Sequence, residues 1–127
     1  MNVVDSSGWI EYLSGGANAS FFRGPLEGDE PLLVPTLCMF EVYRHLLRHI
    51  GREDALEVVA AMRRGAIVEL DDLLALEAAE LSVQKKLALA DSIILATARA
   101  HDAELWTQDS DFEGMEGVRY RASKRGG

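Results

Sequence analysis

The chain has 127 residues, 48% of them hydrophobic, and a formal net charge of −8. This length fits one domain, and the composition excludes a low-complexity or disordered chain. The acidic balance excludes a protein whose whole surface attracts nucleic acid, while leaving room for local binding where a cation offsets clustered carboxylates.

Met1-Asn2-Val3-Val4-Asp5 enters an apolar run at once, without the basic start of a signal peptide. Residues 2–5 read as a buried strand. Ser6-Ser7 offers an N-cap for a helix through Trp9, Ile10, Tyr12 and Leu13, with Gly15-Gly16 as its stop. Residues 17–23 suit a short helical turn, and 24–31 a loop rich in Gly, Pro and acids. Leu32-Leu33-Val34 reads as the second strand, ended by Pro35. Thr36 can cap a helix to about His49, with Met39, Val42, Leu46 and Ile50 at helical spacing. Gly51 ends it, and residues 52–63 form a further amphipathic helix.

Residues 66–70 are the third strand. Asp71-Asp72 opens a long helix to about Lys85, residues 86–90 are ambiguous, and another helix runs from about Ala90 to His101. Residues 104–107 and 118–120 are the fourth and fifth strands. The expected domain is 1–122, with 123–127 as a disordered tail. Apolar runs are too short to span a membrane. Cys38 is the only cysteine, so no internal disulfide can form and a cytoplasmic, reduced protein is expected. Strands alternating with helices predict an α/β fold with a parallel sheet covered on both faces.

Four carboxylates stand beside core-forming residues. Asp5 closes Val3-Val4, Glu41 interrupts Leu37-Cys38-Met39-Phe40 and Val42-Tyr43, Asp91 interrupts Leu87-Ala88-Leu89-Ala90 and Ile93-Ile94-Leu95, and Asp109 follows Leu105-Trp106-Thr107. Buried charge is costly unless compensated. Each acid has an ordinary alternative: Asp5 and Asp91 as N-caps, Glu41 as partner of Arg44 and His45, Asp109 as a turn residue. All four, however, map to one predicted edge, at the carboxyl ends of the strands, where such sheets bind ligands. A shared hard divalent cation such as Mg²⁺ is the economical compensator.

Other constellations point elsewhere. His45, His49 and His101 do not make a zinc set with Cys38, and Ser6 and Ser7 have no evident histidine base. No glycine-rich phosphate loop is present. Trp9, Phe40 and Trp106 are expected in the core. Arg44, His45, Arg48 and His49 form one basic group, and Arg119, Arg121, Lys124 and Arg125 another; a solvated helix face and a frayed tail are their ordinary readings.

Val3-Val4-Asp5-Ser6-Ser7, Glu41 in its helix, Ala90-Asp91-Ser92-Ile93-Ile94-Leu95-Ala96-Thr97-Ala98 and Trp106-Thr107-Gln108-Asp109-Ser110-Asp111-Phe112 together resemble a PIN-domain protein. The short format resembles the VapC toxins of VapBC toxin–antitoxin pairs. The resemblance implies a three-layer α/β/α fold around a mainly parallel sheet of four or five strands. It implies an Mg²⁺- or Mn²⁺-dependent endoribonuclease, with RNA as substrate, a VapB-type antitoxin as partner and a homodimer as assembly. By position, Asp5, Glu41, Asp91 and Asp109 match the catalytic and metal-binding acids. Ser6 and Thr107 match supporting hydroxyls, and Asp111 matches a second acid expected in a turn or capping role, with an outer-shell metal contact as the alternative. The glycine that many members carry shortly before the third acid is missing from Lys85-Lys86-Leu87-Ala88-Leu89-Ala90. A catalytically silent scaffold of the same fold, or another Mg-dependent α/β phosphoryl-transfer enzyme, are the alternatives.

Overall fold

Strands β1 (Asn2–Val4), β2 (Leu32–Pro35), β3 (Ala66–Val68), β4 (Glu104–Thr107) and β5 (Val118–Tyr120) form one sheet in the computed structural model, which describes residues 1–124. The order is β3-β2-β1-β4-β5 and every pairing is parallel. Residues 125–127 of the expected tail lie outside the described residues. Helices α1 (Ser6–Ser14), α2 (Ala19–Glu27), α3 (Thr36–His49), α4 (Arg52–Met62), α5 (Asp72–Lys85) and α6 (Leu89–Ala100) cover the sheet.

The strand residues alternate between two cores. Val3, Leu33 and Leu105 pack with Ile94, Leu95 and Ala98 of α6 on one face. Val4 and Val34 pack with Trp9, Phe22, Val42, Leu46, Ala55 and Met62 on the other, drawing on α1 to α4. β1 is paired on both edges by β2 and β4 and covered on both faces by the two cores, which is why it reads as an unbroken apolar run.

Several local features differ from expectation. The cap of α1 is Asp5, whose Oδ1 accepts from the Gly8 amide at 2.8 Å; Ser6 and Ser7 already lie inside the helix. Helix α2 continues through Gly24 and Pro25 to Glu27 because burying Phe22 and Pro25 on its inner face outweighs their poor helix propensity. The third strand stops at Val68, a short edge whose Ala66 and Ile67 are exposed. Trp9 is core, but Trp106 is only half-buried and Phe40 is 57% exposed, with the Arg44 guanidinium 5.2 Å from its ring centre. The Trp106 indole N–H donates to Asn2 Oδ1 at 2.9 Å, and the Arg119 guanidinium lies 5.0 Å from its ring centre.

The ambiguous segment 86–90 is a sharp reversal. Lys86 caps α5 at φ 56°, the left-handed region, and Leu87 then turns into the core. A lysine there costs about 1–2 kcal/mol against a glycine. Burial of Leu87 and the hydrogen bond from Ser82 Oγ to its carbonyl (2.8 Å) hold the reversal in place.

Gly8 is set where helix α1 crosses α2. A Cβ at this position would lie 2.6 Å from Phe22 Cε1 and 2.7 Å from Val4 Cγ1. Elsewhere in a helix Gly→Ala stabilises by up to about 1 kcal/mol. Here the sign should reverse: Gly8→Ala should destabilise by about 1–3 kcal/mol, read from the urea midpoint, because the ring and Val4 are fully buried and have no room to yield. An unchanged or raised midpoint would contradict this packing.

Candidate active site

Because all five strands are parallel, their carboxyl ends share one edge, and the sequence places an acid near it from four segments. Asp5 follows β1 and begins α1. Glu41 is on the second turn of α3, after β2. Asp91 is in the first turn of α6. Asp109 follows β4 and caps a short 3-10 turn, Ser110–Phe112, in which Asp111 lies. Asp5, Glu41, Asp91 and Asp109 line one cleft of about 310 Å³, together with Ser6, Ser7, Ile10, Arg44, His45, Arg48 and Ile94.

Asp5 is the deepest of these groups, only 4% exposed. Its carboxylate accepts from the Gly8 amide (2.8 Å), the Ser7 hydroxyl (3.1 and 3.2 Å) and Thr107 Oγ1 (2.5 Å). Thr107 Oγ1 in turn accepts from the Asp109 amide at 2.9 Å. One fully buried hydroxyl thus ties the end of β1 to the loop that carries Asp109. Asp109 Oδ1 then accepts from the Asp111 amide at 2.9 Å, closing the 3-10 turn. Glu41 does not bridge to Arg44, the partner its spacing offers; Ser6 Oγ donates to its Oε1 at 2.5 Å and holds it toward the cleft.

The electrostatics follow from this crowding. Burial raises the Asp5 carboxyl to about 6, against the Thr107, Gly8 and Ser7 hydrogen bonds that lower it. Asp91 is also raised to about 6, first by burial and then by the charges of Asp109, Asp5, Asp111 and Glu41. The positive N-terminal end of α6 partly offsets that repulsion. Cys38 lies beneath the site, its Sγ 3.8 Å from the Val4 carbonyl; burial pushes its thiol well above the ordinary range, so it is not a nucleophile here.

Asp91, Asp109 and Asp111 each offer an oxygen within 4.8 Å of the others. An all-carboxylate set gathered this closely fits a hard divalent cation, which takes oxygen ligands and removes the repulsion among them. The structure brings Asp111 closer to that set than a turn role requires. Its position two residues after Asp109 in the Asp-Ser-Asp turn was the available signal. Asp5, by contrast, is engaged by hydroxyl and amide donors. The contact from Ser7 to Asp5, and the extension of Arg44, His45 and Arg48 into the same cleft, were not evident from spacing.

A family model described as the PIN domain matches residues 3–118. No curated protein matches the chain significantly in sequence. Among solved structures, one described as a toxin–antitoxin complex from Klebsiella pneumoniae is 24% identical, with TM-score 0.80, covering 94% of this chain and 96% of that one. VapC20 from Mycobacterium tuberculosis, described as a sarcin–ricin-loop-cleaving toxin, is 19% identical with TM-score 0.72, covering 91% and 95%. FitAcB from Neisseria gonorrhoeae is 20% identical with TM-score 0.67, covering 94% and 96%. At such identities the likeness is one of fold.

The raised carboxyls make a signed prediction for the metal-free protein. Between the ordinary value of 3.8 and about 6, the folded state holds protons that the unfolded chain has released. Folding is therefore favoured as pH falls, and Tm should rise from pH 8 toward pH 5. Asp91→Asn should flatten that slope. In the same window, carboxyl NMR of Thr107→Val should show Asp5 titrating above its wild-type midpoint, because the strongest hydrogen bond lowering it is gone. A Tm slope identical in Asp91→Asn, or an unmoved Asp5 midpoint, would contradict the electrostatic picture.

Proposed function

Because this chain belongs to the PIN-domain family, we propose that it is a divalent-metal-dependent endoribonuclease, the toxin of a type II toxin–antitoxin pair. The observation that carries the reading is the convergence of Asp5, Glu41, Asp91 and Asp109 on one cleft, with Asp91, Asp109 and Asp111 in ligand range of one another. In this reading Asp91 and Asp109 would hold Mg²⁺ or Mn²⁺, with Asp111 of the 3-10 turn and Asp5 completing the set. The bound ion would neutralise the carboxylates and stabilise charge on a phosphodiester.

The protein's own groups do the positioning. Thr107 and Ser7 fix the Asp5 carboxylate, and Thr107 also fixes the start of the Asp109 loop. Ser6 fixes Glu41, which accepts a hydrogen bond from the attacking water and aims it at phosphorus. Water adds to phosphorus and gives up a proton, the bond to the leaving ribose oxygen breaks and that oxygen takes up a proton, and the products are two shorter RNA chains.

A nuclease of this kind needs an inhibitor. The similar fold solved as a toxin–antitoxin complex makes a VapB-type antitoxin the fitting partner, with a basic side chain placed against the acids. A homodimer belongs to the same reading. No helix among the described residues is long and apolar enough to cross a membrane.

Purified wild-type protein should cut total bacterial RNA at discrete positions in Mg²⁺ or Mn²⁺. Asp91→Asn should lower the rate by about 10²-fold or more, the scale lost with a key electrostatic group. RNA ends mapped by sequencing give the readout. Asp91→Asn activity equal to wild type would remove the assignment. Metal binding without cleavage of any RNA would favour a binding scaffold.

A further inference from the structure

The cleft is lined by groups of both signs: the acids Asp5, Glu41, Asp91 and Asp109, and the bases Arg44, His45 and Arg48, which follow Glu41 on α3. Phe40, Arg44 and Arg48 lie at successive i, i+4 positions, so they make a row along α3 about 12 Å long at 1.5 Å per residue. Arg44 and Arg48 are exposed, and among the described residues the ion pairs are Arg23–Glu27 and Arg119–Glu104. Neither arginine of the row is therefore neutralised by an acid, although Glu41 stands three residues before Arg44. In a chain of net charge −8, two cations held at the lip of an acidic cleft mark where a polyanion can approach.

Phe40 adds a second, independent feature. It is a large aromatic left 57% exposed on the same row, its ring already covered on one side by the Arg44 guanidinium. An aromatic face beside arginines is the combination that holds an unstacked base next to backbone phosphates.

We infer that α3 is the track along which RNA enters the cleft: Arg44 and Arg48 hold phosphates flanking the scissile one, Phe40 stacks a base, and the segment bound is unpaired. This rests on the reading of the cleft as an RNA-cleaving site. A duplex keeps its bases stacked and offers nothing to Phe40. A second copy of the chain seated face to face on this row would bring the arginines of both copies together, which disfavours self-association here.

The test is fluorescence anisotropy with a 5′-labelled, mixed-sequence 12-nucleotide RNA in Ca²⁺, its integrity checked by gel, alongside the same RNA annealed to its complement. Arg44→Ala with Arg48→Ala should weaken single-strand binding about tenfold or more. It should also make the slope of log K against log salt shallower by roughly 1.4, two phosphates at about 0.7 each. Phe40→Ala should weaken single-strand binding about fivefold or more and leave duplex binding unchanged. Arg63→Ala with Arg64→Ala removes equal charge at the end of α4 and should change neither.

The inference is overturned if the α3 double variant behaves like the α4 control. It is overturned equally if Phe40→Ala keeps full RNA affinity but turns a dimer into a monomer by sedimentation, which would make the row an interface between copies. Cleavage of total RNA by wild type with α3 variants unaffected removes this inference and spares the nuclease reading. Absence of both binding and cleavage in wild type removes both.

Discussion

The Asp5 carboxylate stands at the end of the central strand with almost no access to water, and the local structure is arranged to tolerate it. Three donors meet it there: an amide at the start of α1, the Ser7 hydroxyl and the Thr107 hydroxyl. A hydrogen bond to a charged group contributes about 1.5–3 kcal/mol, several times less than an uncompensated buried charge would cost. The group is therefore held in place yet left easy to protonate, at about 6. Because Thr107 serves Asp5 and the Asp109 amide at once, the same contact sets the distance between β1 and the loop after β4.

From that constraint the site follows. A parallel sheet puts the ends of β1 and β4 side by side, and the helices that cover it bring their first turns to the same edge. Asp91 arrives on α6, Glu41 on α3, Asp109 and Asp111 on the loop and turn. Each would be an unremarkable cap or surface acid elsewhere. Brought together they repel one another, and the repulsion is what gives a divalent cation its hold. Arg44, His45 and Arg48 of α3 line the same cleft, so a phosphate chain can be drawn in by the bases and met by the acids and the ion they favour.

Much of this was readable from residues because it depends on local pattern. The five strands are short apolar runs and the helices carry apolar residues at 3.6-residue spacing, so the all-parallel sheet and its acidic edge could be anticipated. What spacing did not convey was where tertiary packing decides. Gly24 and Pro25 look like a loop, but the burial of Phe22 and Pro25 carries α2 through them. Phe40 looks like core, but its phase on α3 turns it to solvent with Arg44. Lys86 takes a left-handed turn usually left to glycine, because Leu87 must reach the core. In the site, the nearness of Asp111 to Asp91 depends on a contact between segments roughly 20 residues apart, which no single window shows.

The central claim is that these carboxylates act together as one cation site. Its most direct measurement is calorimetric titration of the metal-free protein with Mn²⁺ at pH 7.5, compared with Asp109→Asn and with Glu113→Gln, an exposed acid outside the cleft. Saturable binding in wild type and Glu113→Gln, weakened at least tenfold in Asp109→Asn, is the predicted result. Binding of equal strength in Asp109→Asn, or no saturable binding in wild type, would contradict it.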